Sequence, residues 1–555
     1  MHSSTFFFAL GLAWTITPIW AYLRMSCPGR LVRERLDPVV SPGVVSGHVH
    51  TISGGSGFAP NITYQQARAS KCSSCQIKED LSNYWTPQLY FQAQNGSFIP
   101  VPVAGDGSDL NGGMIVYYLQ RPGKQGEKLK TFPEGFRMLA GDTFKRNFTG
   151  DLAAKAVTFN CLQNGSPPLP ETNALPNYNC PGGLRAQLFF PSCWNGRDLD
   201  TPDHRSHVSY FNGTEYNSGL CPSNFPIHMV SIFFEVLYDT NRFKDMWYGN
   251  QQPFVFANGD PTGYGFHGDF VNGWDTNVLQ NAIDNCNANN GDVSACSAVT
   301  MFSVDECNAC KLPTVVAENT DGWQRSLPGC NPVQNGPAYA SRVPCPVTPL
   351  SDPKKNYVDL IRSKGWEYTG CGTDNIQMRT FTLKSTSSNT MTVESCIDFC
   401  SSAGYTYAGV EYSAECYCDN SLPASRAPKD GIYGGCNFPC AGNSSQSCGG
   451  SGFISIYHRC TTSCKNTDFP PTSSSSSTAP VASPSCPKNN CNNQIFVSTA
   501  SVPAQTFCPT YTATWNVAAS AIPSYLGNCS GDSVKNTAAP TTTTTRVKAL
   551  SAGTV

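Results

Sequence analysis

The sequence predicts a mainly β protein. An antiparallel, sandwich or jelly-roll-like domain is expected over residues 22–350, then a small disulfide-rich α+β module over 366–458, then a disordered Ser/Thr/Pro-rich tail over 465–555. Three observations predict this. Strand-length apolar runs, rich in Val, Ile, Phe and Tyr, recur through the first region between Gly, Pro and Asn residues. They do not alternate with helical patterns, which argues against a parallel sheet. Eight cysteines crowd between Cys371 and Cys448, where a thin core needs covalent staples.

The elements follow in order. In the first region the runs are "QLYFQAQNGSFIPV", "GGMIVYYL", "GFRMLAG", "AQLFFPSCW", "HMVSIFFEVLYDT" and "QPFVFANGD". Asn95-Gly96 is a hairpin turn signal, because both residues tolerate positive φ. The best helix is "GWDTNVLQNAIDNC", 273–286: Asp275 caps it, and Leu279, Ala282, Ile283 and Cys286 share a face. Residues 351–365 read as a connector. In the second unit "TVESCIDFCSSAG" reads as a helix with Thr392 as N-cap, Glu394 in its first turn and Gly404 at its end. Cys396 and Cys400, at i and i+4, face one partner. "TYAGVEYSAECYCDN" reads as strands carrying Cys416 and Cys418. From 465 the chain turns to Ser, Thr, Pro and Ala, a composition that buries too little apolar surface to fold and suits an O-glycosylated stalk. A four-cysteine segment interrupts it.

Composition narrows the class. A formal charge of −2 gives no electrostatic reason to bind nucleic acid. Residues 1–21 resemble a secretion signal, and no later apolar run is long enough for a transmembrane segment. Twenty-seven cysteines suit an oxidising compartment, although the odd number leaves one over. Sequons such as Asn61, Asn95, Asn147 and Asn443 fit the same route. A secreted, extracellular or wall-associated protein is expected. Cys72 and Cys75 form a C-x-x-C pair, for which a structural bond or separate partners are expected rather than redox chemistry.

Two resemblances sharpen this. "WEYTGCGTD", "TVESCIDFC", "YAGVEYSAECYCDN" and "CNFPCAGNSSQSCGGSGFISIY" together resemble a WSC domain. WSC domains occur in fungal wall-stress sensors and secreted enzymes, so the resemblance implies glycan binding, with fungal or plant cell-wall polysaccharide as partner. Tyr405, Tyr407, Tyr412 and Tyr433 are the candidates to stack on sugar rings, or else core aromatics. "ERLDPVVSPGVVSGHVHTISGG", "CSSCQIKEDLSNYWTPQLYF", "CPGGL", "FPSCWNGRDLDTPDHRSHVSY" and "GDPTGYGFHGDFVNGW" resemble a fungal secreted family of unknown function, numbered nineteen-ninety-six, that often precedes WSC modules. That resemblance implies no reaction.

The chemistry must therefore come from residues, and the histidines stand out. "HVH" supplies His48 and His50, "PDHRSHV" supplies Asp203, His204 and His207, and "GYGFHGDF" supplies His267 and Asp269. Residues i and i+2 of a strand point to one face, so His48 and His50 can present two imidazoles together. The expected metal set is His48, His50, His204 and His207, with zinc or copper as the ion. The expected catalytic candidates are those four with His267, Asp203 and Asp269, either around a metal or as metal-free acid–base pairs. Structural roles compete: half-buried strand histidines, and a turn in which Asp203 caps backbone amides. Glu235 and Asp239 make a poor glycosidase dyad, since i and i+4 on a strand lie roughly 13 Å apart. Asp198, Asp200 and Asp203 form a weak calcium-like cluster. Two functions remain: a wall-tethered domain acting on polysaccharide, or a non-catalytic structural or glycan-binding wall protein.

Overall fold

A computed structural model of the protein describes residues 21–104, 112–286 and 288–469. Most of the expected secretion signal (residues 1–20 of 1–21), and the expected tail from 470 with its four-cysteine segment, lie outside the described residues. The first region is an antiparallel sandwich of two five-stranded sheets. In chain order the strands are β1 (Tyr22–Ser26), β2 (Val32–Glu34), β3 (His50–Gly54), β4 (Asn83–Pro87), β5 (Ile115–Leu119), β6 (Arg137–Gly141), β7 (Val157–Cys161), β8 (Leu184–Phe189), β9 (Ser231–Tyr238) and β10 (His267–Val271). One sheet has the order β1-β5-β9-β8-β7, the other β2-β3-β4-β10-β6. Their facing sides share one core, built from Leu23, Met25, Val116, Phe159, Leu188 and Phe234 on the first sheet and Tyr84, Met138 and Phe270 on the second. Tyr84 meets Phe234 edge-on across the gap, with ring centroids 5.7 Å apart.

The second sheet is covered on both sides. Its outer face packs Ile52, Trp85 and Val271 against Leu31, Leu36, Phe58 and Ile62 from the loops and Ala67 from the short helix Tyr64–Arg68. Strand burial confirms this, with every residue of β3, β4 and β10 buried. Three of the candidate site residues, His50, His267 and Asp269, lie on that outer face.

The expected elements are largely present. The Asn95-Gly96 turn joins strands Leu89–Gln92 and Phe98–Pro100, with Gly96 at φ 82°. Helix α1 (Thr276–Asn285) starts where expected, with the Asp275 carboxylate accepting from the amides of Asn277 and Val278. Cys72 and Cys75 have separate partners, Cys310 and Cys27. Cys307 is the free cysteine among the described residues.

The second module has a sheet of β11 (Trp366–Thr373), β12 (Lys384–Ser387), β13 (Tyr407–Glu411), β14 (Glu415–Asp419) and β15 (Phe453–Arg459), in the order β11-β15-β13-β14-β12. Helix α2 (Val393–Ser402) begins with a capping box at Thr392. Cys396 and Cys400 both reach β14, at Cys416 and Cys418, as their spacing requires. Cys371–Cys436 and Cys440–Cys448 complete the staples. No described helix is long and apolar enough to cross a membrane.

Candidate functional site

Strand register builds the site. His50 of β3 pairs with Pro87 of β4, and Ile52 pairs with Trp85. Trp85 in turn pairs with Asp269 of β10. On the outer face, His50 and His267 thus lie in one row with Pro87 between them, and Asp269 lies one row on. The two rings meet above the proline with centroids 5.8 Å apart. On the far side His267 pairs with Gly141. That position requires glycine: its φ is +81°, and a Cβ there would stand 2.4 Å from the Phe266 carbonyl oxygen.

His48 departs from the expected strand geometry. Only His50 is in β3; His48 lies in the bend before it. Although only one of the two is in a strand, their rings approach to 4.3 Å. The Ser46 hydroxyl donates to the His48 carbonyl at 2.7 Å and holds that bend.

Backbone carbonyls orient two of the rings. His50 Nδ1 lies 2.8 Å from the Leu36 carbonyl, and His267 Nδ1 lies 2.9 Å from the Gly265 carbonyl. A carbonyl only accepts, so each Nδ1 carries the proton and each Nε2 presents a lone pair. The His267 Nε2 faces His48 Nε2 at 3.0 Å, while the His50 Nε2 is buried with no hydrogen-bond partner. One ring nitrogen from each of His48, His50 and His267 falls within 4.8 Å of the others. Asp260 supports the set from beneath: it accepts the Gly265 amide at 2.6 Å and so shapes the loop that holds His267.

Burial, more than anything, keeps these imidazoles neutral. It pushes His50 down to about 4, and His267 down to about 3 with help from His50. His48 is lowered by burial and by its two histidine neighbours. Two carboxyls adjoin the cluster. Asp37, His50 and Asp269 also bring one ligand atom each within 4.8 Å of one another. Asp37 accepts the amides of Val39 and Val40. Asp269 is 0% exposed, and neither of its oxygens has a hydrogen-bond partner. Burial, with Asp37 nearby, drives its carboxyl well above the usual range.

The cluster opens through His48 and His267 into a cavity of about 860 Å³, which Asp37, His204, Arg205 and Arg342 also line. This falls in the size range of small-molecule and oligosaccharide sites.

The other expected residues are placed differently. His204 lies at the cavity rim, with Nδ1 2.8 Å from Asp200, outside the three-histidine cluster. His207 stays out of both. Its Nε2 donates to the Arg137 carbonyl at 2.9 Å and its Nδ1 accepts from Thr201 at 3.1 Å, so neither nitrogen is available to a metal. The expected quartet of His48, His50, His204 and His207 is therefore not assembled; His267 takes the place of the "PDHRSHV" pair. Asp203 caps the turn, as its competing reading held, accepting from the amides of Arg205 and Ser206. The Asp198, Asp200 and Asp203 cluster has no metal-like convergence among the described residues. Asp37 was missed, and Asp200 was expected only in the calcium-like cluster, not as the partner of His204. Asp37 sits in a bare "LDPVV" turn, and no local pattern marks it.

In the second module Tyr412 is 57% exposed, beside Phe438 at 5.6 Å. Tyr405 packs on the module's core, Tyr407 stacks on His458 at 4.5 Å, and Tyr433 donates its hydroxyl to the Lys354 carbonyl.

Comparison with known proteins agrees with this organisation. Residues 37–274 match the domain of unknown function DUF1996, and residues 368–450 match the WSC domain. The chain thus carries a region similar to DUF1996 followed by a region similar to the WSC domain. Two similar curated proteins are WSC domain-containing proteins of Arthroderma benhamiae, 36% identical over 141 residues and 43% identical over 94. A xylosyltransferase oxt of Drosophila melanogaster is 41% identical over 64 residues. These alignments cover 25%, 17% and 11% of this chain. They span only 13%, 12% and 7% of those relatives. All the histidines of the cluster lie in the DUF1996 domain.

Proposed function

We propose that this is a cell-wall-associated protein whose WSC domain binds wall glycan and thereby holds the DUF1996 domain on its substrate, a polysaccharide acted on at the histidine cluster. The observation that carries the reading is the convergence of His48, His50 and His267, of which His48 and His267 line a cavity of about 860 Å³, in a chain that also has a WSC domain. The disulfides support an oxidising, extracellular setting. Tethering raises the local concentration of the cavity near the glycan without any new contact.

At the cavity, neutral imidazoles can hold an ion or move a proton, and the His204–Asp200 pair at the rim has the form of an oriented general base. On the WSC domain, the exposure of Tyr412 supports it as the tyrosine that stacks on a sugar ring. Tyr433 serves the fold.

The test uses the full chain with insoluble β-glucan, chitin, cellulose and xylan. Wild type should pellet with at least one of them and release soluble sugar from it. Tyr412→Ala should lower pelleting several-fold, while Tyr433→Ala should lower the melting temperature. His267→Gln should still pellet but release nothing. Pelleting without release in wild type would favour the non-catalytic wall protein. No pelleting on any fraction would end the tethering idea.

A further inference from the structure

The cluster is built as ligand sets are built. Two of its imidazoles are held by their Nδ1–H groups on backbone carbonyls, leaving both Nε2 lone pairs directed inward. This is the outer-layer arrangement that fixes the tautomer and orientation of metal-bound histidines. The His48 and His267 Nε2 atoms stand 3.0 Å apart. A tetrahedral ion with bonds of about 2.0–2.1 Å holds its nitrogens about 3.3 Å apart.

Two buried groups are also left unexplained by the protein alone. The His50 Nε2 acceptor has no donor in a residue that is 0% exposed. The Asp269 carboxyl, likewise 0% exposed, has no hydrogen bond on either oxygen. Buried polar groups are normally satisfied, and such exceptions mark an ion, a water or a functional strain. Arg205, at the cavity wall, acts against that burial on Asp269.

We propose that Nε2 of His48, His50 and His267 bind one zinc or copper ion, with Asp269 as the neighbouring carboxylate and a remaining position open to the cavity. The proposal deepens the reading above and rests on the same cluster. A divalent ion would satisfy the His50 lone pair and supply the positive charge that Asp269 lacks. Three imidazoles and an open position form a familiar donor set for both ions. The soft-cation character of the set argues against calcium or magnesium, which prefer oxygen ligands. The aspartates near His204 take no part, being occupied by their own turn and by arginines.

The test begins with the purified full chain, stripped by chelator and dialysed. Zn²⁺ and Cu²⁺ are each titrated by calorimetry, with bound metal counted by mass spectrometry after gel filtration. One ion per chain with a sub-micromolar Kd is expected. His50→Gln and His267→Gln should each weaken it at least 100-fold, while His458→Gln, in the WSC domain, should leave it unchanged. Circular dichroism and glycan pelleting show whether each variant is folded. Should a variant not fold, the wild-type Cu²⁺ spectrum decides: nitrogen hyperfine structure from imidazoles is expected, and an all-oxygen spectrum overturns the site. Failure of both ions to reach one per chain also overturns it, as does full affinity in folded His50→Gln and His267→Gln. The sugar-release assay separates this from the functional reading. If stripped wild type still releases sugar and His267→Gln does not, the metal is wrong and the polysaccharide reading stands. If the ion binds as expected but no glycan is bound or cleaved, the metal site stands and the polysaccharide reading falls.

Discussion

Replacing Glu411 with Gln should flatten the pH dependence of WSC stability. Glu411 is 4% exposed at the end of β13. Arg379 Nη1 donates to it at 2.8 Å and to Asp374 at 2.7 Å, and Glu415 stands 3.6 Å from the same guanidinium. One positive charge thus serves three carboxyls, so one of them keeps a proton. Burial first, then the hydrogen bond and charge of Asp374, push Glu411 up to about 9. Asp374 goes down despite its burial, because Glu411, Arg379 and the Thr380 amide donate to it. For Glu411 the folded value lies above the unfolded 4.5. Its contribution is therefore fully present below pH 4.5 and is lost as pH rises toward 9. Each pH unit in that window is worth about 1.4 kcal/mol, so the WSC domain should lose roughly 2–3 kcal/mol between pH 5 and pH 7. Glutamine keeps a hydrogen-bond donor and cannot ionise, so the variant should lose almost nothing over that range. Hydrogen exchange of peptides from β13 and β14, in the full chain and corrected for intrinsic rates, reads this domain alone. Protection in wild type should fall by roughly 30- to 150-fold between the two pH values, since 1.4 kcal/mol is tenfold. Parallel pH profiles for wild type and Glu411→Gln would refute the shared-proton account.

Other outcomes follow from the sandwich. Tyr118 donates to Asp80 at 2.9 Å and accepts from the Trp274 indole at 2.8 Å, with Tyr84 closing the buried network. Tyr118→Phe should cost about 1–3 kcal/mol in denaturant unfolding, because it leaves the indole without an acceptor. A cost near zero would show that the network relaxes around the gap. Gly54 has φ +113°, and a Cβ there would lie 2.0 Å from the Ser82 carbonyl oxygen, so Gly54→Ala should lower the melting temperature and shift the β3–β4 edge. Unchanged melting would contradict that packing. Cys72–Cys310 closes a sequence separation of 238, and its double Ser variant should lose up to about 5 kcal/mol, less where the other staples already restrain the unfolded chain. Melting under non-reducing conditions measures the loss.

Much of the fold was legible because it depends on local chemistry. The Asn95-Gly96 turn, the Asp275 cap and the Cys396/Cys400 spacing act over a few residues. Each is found where elementary turn, capping and periodicity rules place it. The β10 strand was not legible. "GYGFHGDF" reads as a glycine-rich loop, yet Gly268 is part of the strand, where a Cβ would stand 2.7 Å from Leu188 of the facing sheet. The expected strand placement of His48 did not hold, since a bend carries it, although its ring still meets that of His50.

By itself, the sequence determined the antiparallel class, the stapled second module, the cysteine-rich composition that disulfides need and the candidate identity of His48, His50, His267 and Asp269. Only the tertiary structure decided which histidines meet. Selection of His267 over His204 and His207 comes from strand register, which sets His50 and His267 in one row on either side of Pro87. Exclusion of His207 comes from two hydrogen bonds, one to a carbonyl distant in sequence. Asp37 enters through a loop folded over the sheet. Register and loop closure are non-local, and no spacing rule along the chain encodes them.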